Sequence, residues 1–520
     1  MTKRNIFRIV LALAFLAYVG YSQWRPKPGE QAMPARALLP PVAANAKQFT
    51  LGKLDFKRCE LAQKRSGATT AAYCTPFQVP ENPDAADGRK IDLNVALIKA
   101  DAEAADTDIV VLLAGGPGQA AIEAWPRIAP AFAPLRKHHH ILLLDQRGTG
   151  GSNALSCEPA ADKDHPADAP AEASANLDDV RQATRECLAL VQEKADPRYY
   201  TTTIAAHDLE ALRQALGAPQ FDLVGISYGT RMAQQYLMRY PGGVRSLVLD
   251  SVAPNELVLG LEFAENLENA LKAQFSLCTK TPACAKEFPD PYASLIKLRD
   301  ELRAKPQSYE LRDPVTFAPT RKRLDDYALA GLVRLFAYSP ETAALLPLSI
   351  AEGLKGNYAP LGGQSQLLTG DLSELRDNGM QTSVICAEDA DLLTPRPQDK
   401  DTVLGTVLID VIRTQCEVWP RGTRPADFHA PLKSDKPIFV LEGEFDPVTP
   451  PRYGEQLLKG LTNARLLIAK GQGHNVIGRG CIPRLVADFV DRLAPKDLDM
   501  QCADVLGPTP AFLDFNGAAP

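Results

Sequence analysis

Residues 221–241 read FDLVGISYGTRMAQQYLMRYP, and the rest of the chain is organised around them. The apolar run Leu223 to Gly225 predicts a short buried strand. Gly225-Ile226-Ser227-Tyr228-Gly229 predicts a tight turn. From Thr230 to Tyr240 the apolar residues Met232, Ala233, Tyr236 and Leu237 recur at helical spacing. Strand, sharp turn and helix with serine at the apex form the nucleophile elbow of the G-x-S-x-G pattern. The glycines have a mechanical reason, because side chains flanking the serine would clash in so sharp a turn. Ser227 Oγ is then held out at the positive end of a helix.

Further buried strands flank this unit. Asp108 to Ala114, DIVVLLA, is a continuous apolar run of the kind found in central parallel strands. It ends in Gly115-Gly116-Pro117-Gly118, a break that lets backbone approach a guest closely. An oxyanion met by a backbone N–H is the plausible guest. Pro117 has no N–H, which leaves Gly116 or Gly118 as donor; a plain tight turn is the competing reading. His140 to Leu144 is the next strand and runs into the loop Asp145-Gln146-Arg147-Gly148-Thr149-Gly150-Gly151-Ser152. Asp145 and Arg147 are read there as a salt-bridged scaffold rather than as catalytic groups. His138, His139 and His140 are read as structural, since three consecutive strand residues cannot all face one ion. Thr201 to Leu216 predicts a capped helix ending before Gly217, with His207 and Asp208 on its surface. Gln78 to Ile98 predicts a hairpin, and Ser246 to Val252 a further buried strand.

The βα rhythm breaks from Glu256 to about Pro431. Helical stretches are expected there at Leu257 to Phe275 and Leu324 to Ser339, in a lid inserted into the core. The rhythm returns with strands at Pro437 to Glu442 and Ala464 to Ala469. An amphipathic helix follows, with Leu485, Val486, Phe489, Val490 and Leu493 on one side.

A serine hydroxyl needs a base in reach and a third group that orients the base. Gly443-Glu444-Phe445-Asp446-Pro447-Val448-Thr449-Pro450 follows the first of these two strands, and Gly471-Gln472-Gly473-His474 follows the second. Ser227, Asp446 and His474 therefore each fall just beyond the carboxyl end of a predicted strand, where such sheets place ligands. Their order is that of an α/β-hydrolase triad. Backbone N–H groups of Gly116 and Tyr228 are the expected oxyanion donors, and neither a metal nor an organic cofactor is needed.

The set AGGPG, DQRGTGGS, GISYGT, GEFDPVTPP and GQGH resembles the serine aminopeptidases of the prolyl and tripeptidyl aminopeptidase family. The segment from about Pro431 to Cys502 resembles the C-terminal portion of secreted tripeptidyl aminopeptidases. The resemblance covers most of the chain from about Phe49 and is weakest in the lid. It implies an α/β-hydrolase fold and exopeptidase action at free peptide N-termini. One departure is Ala114 in place of the histidine that precedes the two glycines in many relatives, which removes a loop-bracing hydrogen bond. An aminopeptidase must also hold an ammonium group, for which acidic side chains are natural partners. Glu388, Asp389, Asp391, Glu262 and Glu265 are the candidates; a solvated acidic face is the competing reading.

The 520-residue chain carries a net charge of −6 and no basic patch, so small peptides are the expected partners and nucleic acid is not. Lys3, Arg4 and Arg8 precede the apolar run Ile9 to Tyr21, the pattern of a signal peptide or of an uncleaved anchor. The anchor would be the chain's one membrane contact. Ten cysteines follow this segment: Cys59, Cys74, Cys157, Cys187, Cys278, Cys284, Cys386, Cys416, Cys481 and Cys502. An even count behind an export segment points to disulfides in an oxidising compartment. Sequence neighbours offer themselves as pairs, although spacing alone does not fix connectivity.

The expected organisation is an export segment at 1–22, a Pro/Ala-rich tether at 23–48 and a first core part at 49–255. A lid at 256–431, a second core part at 432–502 and a tail at 503–520 follow. A carboxylesterase with the same triad, and a catalytically silent hydrolase fold used for binding, are the rival functional readings. The sequence leaves the oligomeric state open.

Overall fold

The computed structural model describes residues 47–62, 69–101, 108–157, 176–312, 317–363 and 379–518. The expected export segment, and the tether up to residue 46, lie outside them. Among the described residues no helix is long and apolar enough to cross a membrane.

Ten strands form one sheet, in the order β1-β2-β3-β4-β6-β5-β7-β8-β11-β12. The first four, β1 (Gln48–Leu51), β2 (Leu54–Ala62), β3 (Thr69–Pro80) and β4 (Lys90–Ile98), are an antiparallel meander. β4 joins β6 (His140–Leu144) antiparallel. From there β5 (Ile109–Leu113), β7 (Phe221–Ile226), β8 (Val244–Asp250), β11 (Ile438–Gly443) and β12 (Ala464–Ala469) continue in parallel. Every residue of β5, β6, β7 and β11 is buried. That burial explains why these strands read as unbroken apolar runs, since helices cover both faces of the sheet.

One face packs against α2 (Thr202–Leu216) and α3 (Tyr228–Arg239) through residues such as Leu209, Leu212, Met232 and Tyr236. The other packs against α1 (Ala121–Arg136) and a C-terminal helix (Ile482–Arg492) through Trp125, Phe132, Val486 and Phe489. α2 begins and ends where its sequence predicts. Thr201 accepts at the N-terminus, and Gly217 takes the left-handed conformation, φ 67°, at the C-terminus.

Between β8 and β11 the chain leaves the sheet. Helix α4 (Phe263–Lys280) starts six residues after the predicted Leu257, because Gly260 turns the chain at φ 99°. α5 (Asp326–Phe336) falls inside its predicted stretch. These helices share a separate core with Leu295, Leu298 and Ile350. The region also holds an antiparallel hairpin, β9 (Gln307–Arg312) with β10 (Pro319–Leu324), which was not anticipated. The last residues run back over the molecule. Gln472 Nε2 donates to the Gly507 carbonyl, the Phe512 N–H donates to that of Ala344, and Phe512 packs beside the Cys278–Cys284 pair.

All ten cysteines are paired between sequence neighbours: Cys59–Cys74, Cys157–Cys187, Cys278–Cys284, Cys386–Cys416 and Cys481–Cys502.

Candidate active site

Ser227 sits between β7 and α3 at φ 55°, ψ −122°, a backbone region that a side-chain-bearing residue occupies only under constraint. Backbone packing supplies the constraint. A Cβ on Gly225 would lie 2.5 Å from the Gly229 carbonyl oxygen, and one on Gly229 would lie 2.0 Å from that of Leu113. The elbow is thus wedged against the end of β5. The Ser227 N–H donates to the Asp250 carbonyl at 2.8 Å, and the Ser227 carbonyl accepts from the Thr230 N–H at 2.9 Å.

His474 Nε2 lies 3.0 Å from Ser227 Oγ, and His474 Nδ1 lies 2.7 Å from Asp446 Oδ2. Asp446 is buried; its Oδ1 accepts the Val448 and Thr449 N–H groups, both at 2.8 Å, and its Oδ2 accepts Thr449 Oγ1 at 3.0 Å. Donors therefore surround the carboxylate and fix which oxygen faces the imidazole. A hydroxyl, an imidazole and a carboxylate in this series can activate a serine for acyl transfer.

The histidine loop is held from three directions. The His474 N–H donates to the Tyr338 carbonyl at 2.8 Å, and the two rings meet edge to face at 5.1 Å. The Asn475 N–H donates to Ser251 Oγ at 2.8 Å. The Val476 and Ile477 N–H groups donate to the two oxygens of Asp250, each at 2.9 Å. Burial pushes the Asp250 carboxyl up to about 6, against the pull of those two N–H groups. Nearby, burial together with the charge of Asp446 holds the Glu442 carboxyl well above the ordinary carboxylate range.

The glycine loop lies beside the serine, since a Cβ on Gly115 would sit 3.2 Å from Ser227 Cβ. Gly116 and Gly118 take positive φ, 108° and 109°. Gln119 braces the loop. Its Oε1 accepts from the Gly115 N–H and its own N–H donates to the Gly115 carbonyl, both at 3.3 Å. Tyr228, the first residue of α3, has its ring buried. Its hydroxyl lies 2.6 Å from Thr202 Oγ1 and accepts from Gln146 Nε2 at 3.1 Å.

The five acidic candidates are all engaged. Glu388 and Asp389 are fully buried rather than on a solvated face. Glu388 accepts from the Thr202 N–H at 2.6 Å and from its hydroxyl at 2.8 Å, and burial pushes its carboxyl up to about 8. Asp389 pairs with Arg231 at 2.9 Å. Asp391 is bidentate to Arg424 at 2.6 and 2.8 Å. Glu262 meets Arg452 at 2.9 Å, and Glu265 pairs with Arg396.

Asp208 is a correction. It is buried, not on the helix surface, and both its oxygens accept from Arg147, at 2.6 and 2.7 Å. The cause is the loop after β6, which folds its guanidinium under α2. Arg147 also donates to the Glu81 and Tyr199 carbonyls, so it is the scaffold expected of it. Asp145 likewise accepts from the Ile122 and Gly151 N–H groups. His140 Nδ1 accepts from the Ala100 N–H, and burial lowers this imidazole to about 4. At the amino ends of the strands, ligand atoms of Asp108, His139 and Asp222 approach within 4.8 Å of one another. The Arg245 guanidinium already bridges the two carboxylates there, at 3.1 and 2.7 Å.

Thr449, Asp250, Ser251, Tyr338 and Gln119 were not anticipated from sequence. Thr449 and Gln119 stand inside quoted or adjoining motif stretches and carried a readable signal. The others act on a loop more than 130 residues away in the chain.

With this geometry in view, known proteins can be compared. The family described as alpha/beta hydrolase fold matches residues 108–479. "Serine protease Hip1" of Mycobacterium tuberculosis is 26% identical over 486 residues, covering 84% of this chain and 88% of that protein. The "Tripeptidyl aminopeptidase" of Streptomyces coelicolor is 24% identical over 430 residues, covering 76% of each chain. "Carboxylesterase B" of Mycobacterium tuberculosis is 24% identical over 547 residues, covering 93% of this chain and 99% of that one. The family model covers well over half of the chain, which therefore belongs to the alpha/beta hydrolase fold family.

Proposed function

We propose that this chain is an exported serine aminopeptidase that acts on short peptides through an acyl-enzyme. The observation that carries the reading is the series Ser227 Oγ to His474 Nε2 at 3.0 Å and His474 Nδ1 to Asp446 Oδ2 at 2.7 Å. Ser227 attacks the scissile carbonyl carbon while His474 takes its proton. The tetrahedral oxyanion is met by the N–H groups of Tyr228 and Gly116. His474 then delivers the proton to the departing amine, and Asp446 keeps the imidazole in the tautomer that allows both transfers. Water releases the acyl group by the same steps in reverse.

Recognition of the substrate ammonium falls to the acidic candidates. Glu262 and Glu265 are part-exposed; Glu262 is tied to the Asp446 loop through Arg452 and Asn266, and Glu265 pairs with Arg396. Glu388, Asp389 and Asp391 would have to exchange their present partners. The names of the serine protease and aminopeptidase relatives support a peptidase. Five disulfides support an oxidising, extracytoplasmic location.

The test compares turnover of aminoacyl- and tripeptidyl-arylamides with that of p-nitrophenyl esters. Arylamide cleavage that is lost on N-terminal acetylation is expected. Ester cleavage alone would favour the carboxylesterase reading, which rests on the relative of that name. Failure of a fluorophosphonate probe to label Ser227 would favour a silent binding protein.

A further inference from the structure

The fully buried Arg147 and Arg231 pair with Asp208 and Asp389, and the part-buried Arg245 pairs with Asp222. Arg334, in the last turn of α5, differs. It is half-buried, and its Nε is shielded from solvent with no acceptor. Its guanidinium lies over the Phe263 ring at 4.9 Å and faces the Tyr338 ring at 5.8 Å. Tyr338 in turn packs its ring on His474 at 5.1 Å and accepts the His474 N–H. Among the described residues, then, a cation with no carboxylate partner stands two ring contacts from the imidazole.

That side of the site has a chemical meaning. His474 protonates the departing amine, so whatever follows the scissile bond leaves past the imidazole. Phe263 opens α4 directly after Glu262, which meets Arg452 beyond the Asp446 loop. Arg334 thus lies between the first residue of α4 and Tyr338, the residue whose ring packs on the imidazole. A guanidinium stacked on aromatic faces keeps its N–H edge for a planar anion, which it can bind bidentately. Contacts of 5.8 and 5.1 Å in series put the guanidinium at most about 11 Å from the imidazole; an extended chain advances about 3.3–3.6 Å per residue, so a carboxylate carried on a side chain or chain end of the first one or two residues past the bond comes into range.

We propose that Arg334 is a specificity determinant that binds a substrate carboxylate on the leaving-group side, within about two residues of the scissile bond. The inference rests on the aminopeptidase reading above. The carboxylate has two chemical sources: the free C-terminus of a very short peptide, or an Asp or Glu side chain in a longer one.

The experiment measures kcat/KM for the full chain and for Arg334→Met and Arg334→Lys on three peptides with one common N-terminal segment. The first has a neutral, amidated leaving segment. The second places Glu directly after the scissile bond with an amidated end. The third releases a single residue with its carboxylate free. The wild type is expected to favour a charged peptide over the neutral one by roughly 10- to 100-fold, the range of a charge-assisted hydrogen bond. Whichever charged peptide shows the preference identifies the source. The ratio should collapse toward unity in Arg334→Met and survive in part in Arg334→Lys. Because it is a ratio within one variant, disturbance of His474 through Tyr338 cancels. An unchanged ratio in Arg334→Met, or no wild-type preference, overturns the assignment while leaving the aminopeptidase reading intact. Esters cleaved but none of the three peptides would overturn both.

Discussion

The two ends of the proposed triad are held by different physics. At the serine end, backbone packs on backbone: Gly225 against Gly229, and Gly229 against the Leu113 carbonyl. At the histidine end, residues 474 to 477 hang from hydrogen bonds to Tyr338, Ser251 and Asp250. Steric confinement does not respond to protons or to movement of neighbouring helices. Hydrogen bonds to a titratable carboxylate and to the chain just past a helix of the inserted region respond to both. Ser227 is therefore the fixed reference of the site, and the His474 loop is the part that conditions can tune.

Substitutions can break this contrast at either end. Ser227→Ala should have the largest effect, lowering kcat by ~10⁴- to 10⁶-fold while the melting temperature stays near that of the wild type. Asp250→Asn should come next. An amide offers one acceptor to two N–H groups, and displacing an imidazole by about 1 Å can cost ~100-fold in kcat/KM. Steady-state kinetics should show this loss with fluorophosphonate labelling of Ser227 slowed, not abolished. Gly229→Ala places a methyl 2.0 Å from the Leu113 oxygen, so an overpacking cost of roughly 1–3 kcal/mol is expected in chemical denaturation, equal at pH 6 and pH 8.

The smallest effect is a slope. The Asp250 carboxyl is raised from 3.8 to about 6 on folding, so the folded chain binds this proton more tightly than the unfolded chain. Its contribution to stability is then greatest below 3.8, declines as pH rises to about 6 and is flat above. Thermal melts across that window should show the wild type losing stability relative to Asp250→Asn as pH rises. A parallel pair of curves would mean that the histidine loop is no more tunable than the elbow.

The same contrast explains what the sequence made legible. The elbow is local. Five consecutive residues carry the glycines, the serine and the turn, and the flanking strands announce themselves as apolar runs. Asp446 and His474 were readable because each closes a short loop after such a run. Asp250 was not, since it reads as the last residue of a buried strand and its partners lie over 220 residues downstream. Asp208 was misplaced for the same reason: the ion pair that buries it comes from a separate loop 61 residues earlier. β2, LDFKRCELA, escaped notice because only Phe56 and Leu61 are buried among charged neighbours. The burial of Glu388 and Asp389 was hidden too, because it takes Arg231 and Thr202 from the core to host them.

The cysteine bridges carry one more consequence. Each joins a residue to the next cysteine along the chain, 6 to 30 positions away, and no bridge encloses or crosses another. A polypeptide threaded through a pore N-terminus first presents its thiols in that same order. Every thiol meets its proper mate before the following pair has emerged, so oxidation in order of arrival closes all five rings without reshuffling.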